Sequence, residues 1–420
     1  MRVEIKKRIA MIEKGEVPKG YKKTEYGIVP TQWWIKKLID VGNIVTGSTP
    51  LRSDEGYFNG EIPWVKTTDL NNSYITSTEE KITEKALDET AVKLVAPNSI
   101  LVAMYGGFNQ IGRTGLTKMV CTTNQAIASF EVDEKRYNSE YILHWLNAQR
   151  DCWIRFAASS RKDPNITKKD VEDFPIFLMS YHEQKKISQV LSIWDRAIEL
   201  KEKLLEQRKF QKKGLMERLL TGKVRLPGFQ GGWSEISLKA LLKERKEIGR
   251  SDLELLSITA QRGVVKRDEI DKVDTSSEDK SKYKRICPLD IGYNTMRMWQ
   301  GVSGVSIYEG IVSPAYTVLK PIEKVDAFFI GYLFKLPKTI NLFWRYSQGL
   351  VDDTLSIKYD SLKKIRVCMP PTIEEQRGIA EVLKLTDKNL GILQQDIEKL
   401  KTQKKGLMQL LLTGKVRVPC

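Results

Sequence analysis

From Ile379 onward, apolar residues recur at alternating steps of four and three: Ile379, Leu383, Leu390, Leu393, Ile397, Leu400, Leu407 and Leu411, with only Thr386 and Lys404 interrupting the ladder. That spacing is a coiled-coil seam and predicts one long helix. The same seam stands earlier in the chain at Ile187, Leu191, Trp194, Ile198, Leu205, Leu215 and Leu219. Each helix of some forty residues reaches ~60 Å at ~1.5 Å per residue. Both end at Thr-Gly-Lys-Val-Arg, where Gly222 or Gly414 can adopt the left-handed conformation that closes a helix. The two seams can pack on one another; the alternative is two separate amphipathic helices, each on its own domain.

The seams belong to a longer repeat. Residues 183–227 return as residues 375–419, an offset of 192 without a gap, and about half the positions are identical. Trp33 and Leu38 match Trp233 and Leu238, and Ile166, Phe174 and Ile176 match Ile357, Ile365 and Val367. The reading is a segment of residues 1–30 that completes the repeat, a domain of residues 31–180, a helical spacer of residues 181–227, a second domain of residues 228–372 and a second spacer of residues 373–420. Within the domains, residues 99–105, 125–132 and 310–320 read as strands, and residues 139–157 and 326–335 as helices. The fold class is therefore mixed α/β (α+β), with two globular domains joined by two long helices. If the helices run antiparallel, a direct repeat becomes a pseudo-two-fold, circular arrangement.

Composition narrows the chemistry. Among 420 residues, 69 Lys+Arg oppose 53 Asp+Glu for a formal charge of +16, and only His144 and His182 are histidines. Two distant imidazoles exclude the usual zinc clusters and His-based triads. The basic surplus points to a polyanion or an acidic partner. Five scattered cysteines without a C-x-x-C read as thiols of a reducing compartment. No apolar run approaches the ~20 residues that a bilayer requires, and the first residues lack an apolar signal core, so a cytoplasmic location is expected.

The chain resembles the specificity subunits of type I restriction-modification enzymes. The resemblance rests on GYKKTEYGIVPTQW, GSTP with IPWVKTTDL, ILVAMYGGFNQIGRTG and NTMRMWQGVSGVSIYEGIVSPAYTVL, and on the two helices entered through YHEQKKI and TIEEQRGI. It implies two target-recognition domains, each reading one half of a split double-stranded DNA target, and an antiparallel coiled coil that sets their separation. It implies no catalytic residues in this chain. Two methyltransferase subunits would carry S-adenosylmethionine, and motor-nuclease subunits ATP and Mg, with no cofactor, metal or membrane for this chain itself. Two other readings stay open: a helical assembly scaffold whose variable domains bind protein, and the specificity subunit of a related restriction system not of type I.

Candidate DNA contacts are residues able to pair with base edges or phosphates on glycine-rich or loop segments. In the first domain these are Lys66, Thr67 and Thr68, then Asn109, Gln110 and Arg113, then Ser160 and Arg161. In the second they are Asn294, Arg297, Trp299 and Gln300, then Tyr346 and Gln348. Trp299 could equally be core. Gly107 to Thr114 imitates a phosphate-binding loop with Arg for Lys, but residues 115–124 are poor helix formers. An N/D-P-P-Y/F motif is missing, Cys368-Met-Pro-Pro-Thr reading as a stiff turn. Asp195 and Glu199-x-Lys201 imitate a nuclease pattern but read as solvent-facing charges on a helix.

Overall fold

A computed structural model describes residues 3–155, 165–270, 279–351 and 354–418. The chain divides into two compact units, Met1–Lys201 with Asp396–Cys420, and Glu202–Gln395. The division passes through the middle of both long helices, Tyr181–Leu220 and Ile373–Leu412, so each unit owns half of each.

The first unit is built on a five-stranded sheet in the order Ile44–Thr46, Ile127–Phe130, Ile100–Ala103, Thr114–Thr117, Ser73–Ile75. Pairing is antiparallel except for the last, parallel, edge. The central strand, Ile-Leu-Val-Ala, is apolar throughout because both its faces are covered. Ile100 and Val102 face a core with Tyr141, Ile142 and Leu146 of helix Ser139–Ala148, while Leu101 and Ala103 face a second core with Val65, Cys121 and Ile127. A three-stranded sheet of Thr122–Thr123, Phe58–Val65 and Glu80–Ile82 flanks it.

The second unit repeats the plan with four antiparallel strands in the order Leu242–Arg245, Tyr316–Pro321, Ile291–Asn294, Ser303–Val305. Ile291 and Tyr293 face the helix side, and Gly292 between them admits the Ile258 side chain on the other; a Cβ there would stand 2.4 Å from Ile258 Cδ1. In both units a short antiparallel pair precedes the helix. It is Trp34–Lys37 with Pro175–Leu178 in the first and Ser234–Ser237 with Arg366–Met369 in the second.

Within each unit the helix halves run antiparallel. In the first, Ile187 and Leu191 share a core with Leu411 and Leu412, Lys201 pairs with Asp396 at 2.9 Å, and Lys404 pairs with Asp195. In the second, Leu219 and Leu220 share a core with Ile379, Ala380 and Leu383, and Lys212 pairs with Asp387. Each fully buried leucine contributes ~1.5–3 kcal/mol by leaving water. The seam residue Lys404 thus satisfies its charge across the interface rather than breaking it. Asp195 and Lys201, read as solvent-facing, are interhelical ion-pair partners instead. Gly222 and Gly414 close the helices at φ +71° and +72°, with ring atoms of Trp233 at the first and of Pro30, then Trp33, at the second packed where a side chain would begin.

Residues of the N-terminal segment meet the end of the second helix inside the first unit. Arg8 Nε donates to the Lys415 carbonyl at 3.1 Å, and the Tyr21 hydroxyl to the Gly414 carbonyl at 2.8 Å. Three secondary-structure expectations need correction. Residues 310–320 form two strands in different sheets, Gly310–Val312 and Tyr316–Pro321, because Pro314 lies between them without an N–H to donate. The helix expected over 139–157 ends at Ala148 and continues as a tight 3-10 turn through Arg155; positions 156 and 157 lie outside the described residues. The helix expected over 326–335 covers Ala327–Leu333, with Asp326 capping it by accepting from the Phe329 N–H.

Candidate nucleic-acid interface

In the first unit the candidates gather around one hairpin. Strand Ile100–Ala103 turns through residues 104–113 into strand Thr114–Thr117. The residues after Arg113 therefore form a strand, with no helix to receive a phosphate, and the resemblance to a nucleotide-binding loop ends there. The turn is a packed structure. Gly106 and Gly112 stand at φ +107° and +69°, and a Cβ on Gly112 would meet the Trp153 ring at 2.2 Å, so the indole, itself stacked on Phe174 at 3.8 Å, sets the path of the backbone. Asn109 is exposed, while Gln110 and Arg113 are half-buried. Among the described residues Arg113 makes no ion pair. Tyr105 and Phe108 are exposed beside them.

Sequence reasoning missed Arg150. It stands just past the end of helix Ser139–Ala148, but folding brings its guanidinium to the Asn109 carbonyl at 2.8 Å. Burial and then the neighbouring Arg113 charge push its pKa down, so two guanidiniums stand together at this turn. No spacing rule joins residues 109 and 150; only the tertiary fold does.

Lys66, Thr67 and Thr68 lie at the end of strand Phe58–Val65. This end reaches the hairpin through the turn Asn124–Ala126: Asn124 N–H donates to Val65 and Met104 N–H to Ala126. The Lys66 ammonium is held by Glu79 at 3.0 Å and Glu80 at 2.6 Å, and the bond to Glu80 holds its pKa above the ordinary lysine value. Its charge is thereby committed to carboxylates, whereas Thr68 is exposed. Ser160 and Arg161 lie outside the described residues. The segment just after them is tied to the hairpin by Ile166 N–H donating to Met104.

In the second unit the corresponding hairpin joins Ile291–Asn294 to Ser303–Val305 and carries Asn294, Arg297, Trp299 and Gln300. The candidates of the two domains, chosen from different residue patterns, thus fall on the same turn of the same sheet plan. Asn294 Oδ1 accepts from the Met296 N–H at 3.0 Å, and the Trp299 indole N–H donates to the Met296 carbonyl at 3.1 Å. Met298 is the buried anchor of the turn; Trp299 is half-buried, and Arg297 and Gln300 are exposed. Tyr346 ends helix Pro337–Tyr346. Gln348 bridges Ser356 through both backbone groups, and the next residue, Ile357, donates to Thr295 at 2.9 Å. That mirrors the Ile166 to Met104 link and brings the two candidate segments of this unit together. Trp344, Leu350 and Val351 are exposed alongside.

His144 is buried between Ser192 at 3.3 Å and Asp195 at 3.7 Å. Burial and then the Lys404 charge push its pKa down to about 3, leaving a neutral packing residue. Cys121 is likewise buried, its thiol pushed up to about 12 by desolvation. Among the described residues no group of three or more His, Cys, Asp or Glu side chains could hold a metal ion, and no helix is long and apolar enough to cross a membrane.

Residues 30–207 match the model of the type I restriction modification DNA specificity domain. The chain is similar to the type I restriction enzyme MjaIX specificity subunit of Methanocaldococcus jannaschii, 30% identical over 187 residues that cover 44% of this chain and 42% of that one. It is also similar to the putative type I restriction enzyme MjaX specificity subunit of the same organism, 23% identical over 95% of this chain and 97% of that one. A crystal structure of the type I restriction-modification system S subunit from M. genitalium shares the fold at a TM-score of 0.56 and 15% identity, covering 90% of this chain and 96% of that one.

Proposed function

We propose that the chain is a specificity subunit of a type I restriction-modification system, a reading supported by the domain match over residues 30–207 and by the similarity to such subunits along most of the chain, and that it selects the DNA sequence on which partner subunits act. Each of its two domains reads one half of a bipartite target in duplex DNA, residues 31–180 one half-site and residues 228–372 the other. The observation that carries this reading is the pair of corresponding hairpins, each presenting polar and basic side chains from the end of a central strand. Asn, Gln and Arg are the side chains whose paired donors and acceptors match base edges, and Lys and Arg supply the salt-dependent phosphate contacts.

The subunit itself carries out no catalysis and holds no cofactor. It docks two methyltransferase subunits, which bring S-adenosylmethionine, and through them motor-nuclease subunits that bring ATP and Mg, in the cytoplasm. The two-fold repetition of its helical surfaces suits two copies of one partner.

Alanine at Arg113 or Arg297 tests the hairpins in the assembled complex. Each substitution is expected either to relax one half-site, costing about 1–3 kcal/mol of discrimination if a base edge is read, or to reduce the slope of log affinity against log salt by about one if a phosphate is held. Competition binding at two salt concentrations measures both. Unchanged discrimination and slope in both variants would remove the hairpins from the interface.

A further inference from the structure

Lys335 sits between helices Ala327–Leu333 and Pro337–Tyr346, and its ammonium is turned inward, beneath the second-unit hairpin. Nζ donates to the carbonyl of Gly301 at 2.7 Å, of Ser303 at 2.8 Å and of Ala260 at 3.3 Å. Gly301 closes the turn Met298–Gln300 and Ser303 begins the returning strand. Ala260 belongs to a different hairpin, between strands Leu256–Thr259 and Gly263–Lys266. An ammonium has three N–H donors and no acceptor, and here each donor meets one carbonyl. A buried charge is costly unless so satisfied.

The turn under it has little freedom to rearrange. Gly301 adopts φ +78°, and a Cβ there would meet Ile340 Cδ1 at 2.8 Å. Gly304 lies so close to Gly263 that its Cβ would stand 2.5 Å from the Gly263 Cα, so at this end the two hairpins meet backbone to backbone, while further along Ile258 nests against Gly292. Lys335 hydrogen-bonds to both hairpins. Arg150 does comparable work in the first unit with one carbonyl, that of Asn109.

We propose that Lys335 is a positioning residue for sequence reading: its ammonium clamps the Arg297–Gln300 turn to the neighbouring hairpin and so sets where those side chains meet DNA. The inference rests on the reading of this hairpin as a DNA contact. Charge governs the clamp. Among the described residues Lys335 makes no ion pair. The cation facing it from the long helix is Lys212, itself paired with Asp387 and set over the Tyr332 ring, and Arg262 of the neighbouring hairpin is paired with Glu269. Burial first, and Lys212 second, push the Lys335 pKa down to about 8. The ammonium is therefore largely present at pH 7 and largely lost by pH 9, and with the proton go one donor and the charge that strengthens the other two bonds.

The test is competition binding of the assembled complex, scored separately at the two half-sites at pH 7 and pH 9. In the unsubstituted complex, discrimination at the half-site read by residues 228–372 is expected to fall between pH 7 and pH 9 while the other half-site is unaffected. Lys335→Met is expected to lower that discrimination about tenfold at pH 7, and Lys335→Arg, whose guanidinium stays charged, to keep it and to flatten the pH profile. Parallel pH profiles at the two half-sites overturn the proposal, whether or not Lys335→Met assembles, as does full discrimination in an assembled Lys335→Met complex. Failure of the unsubstituted complex to read any second half-site overturns the functional reading instead.

Discussion

Glu183 and Glu375 hold corresponding places in the two repeats, each in the first turn of a long helix and each almost wholly buried. Glu375 takes Arg225 through both oxygens, with Nη2 to Oε2 at 2.8 Å, and accepts from the Trp233 indole at 3.4 Å. Glu183 does the same with Arg417 and Trp33. A carboxylate at a helix N-terminus is favoured by the helix dipole, and here it also ties the residues after one helix to the start of the other. Removing one member of a buried ion pair is far more costly than the pair's net worth. Glu375→Ala is expected to destabilise the second unit by about 3 kcal/mol in denaturant unfolding, and a change under about 0.5 kcal/mol would contradict this role. The Glu, Arg and Trp identities were legible from the repeat, though their meeting was not. Arg150 and Lys335 were not legible at all, because the backbone carbonyls they bond carry no side-chain signature.

Among elements, the long helices were the most legible, since a seven-residue period persists in sequence whatever the surroundings, and their ends were marked by Gly222 and Gly414. Short strands were less so. Residues 310–320 read as one strand because apolar content does not reveal that a proline divides it between two sheets. The helices also carry an asymmetry. Thr386 stands at the seam position that Trp194 fills in the first repeat, and in the second unit a groove of about 640 Å³ opens there, lined by Leu215, Leu390 and Leu393 with Arg208, Lys212 and Arg218. Thr386 bonds its hydroxyl to the Val382 carbonyl in the preceding turn, a local alternative that weakens a helix interior. Thr386→Leu restores the apolar ladder, improves helix propensity and covers part of the groove. It is expected to stabilise the second unit by about 1 kcal/mol, read as a higher Tm; a lower Tm would show that the groove is needed for the helices to pack.

For the whole molecule, the charge of +16 takes on location. Lys201, Lys212 and Lys404 of the helices are paired across the helix interface, and Lys66 in the first domain is paired too, whereas Arg113 stands at a hairpin turn without an ion pair among the described residues. Of the two histidines, His144 is buried and neutral, which is consistent with the proposed role of choosing where partner subunits act. The fold class and the doubling were legible from the repeat. The correspondence of the two hairpins was not, because their residues differ and only the strand order aligns them. Two-domain reading of DNA is measured most directly by selection of bound duplexes from a random pool by the complex assembled with the proposed methyltransferase partners. The expected result is a bipartite motif, two short specified half-sites separated by a fixed number of unspecified positions, one altered by changes in residues 31–180 and the other by changes in residues 228–372. A single continuous motif, or none, would contradict it.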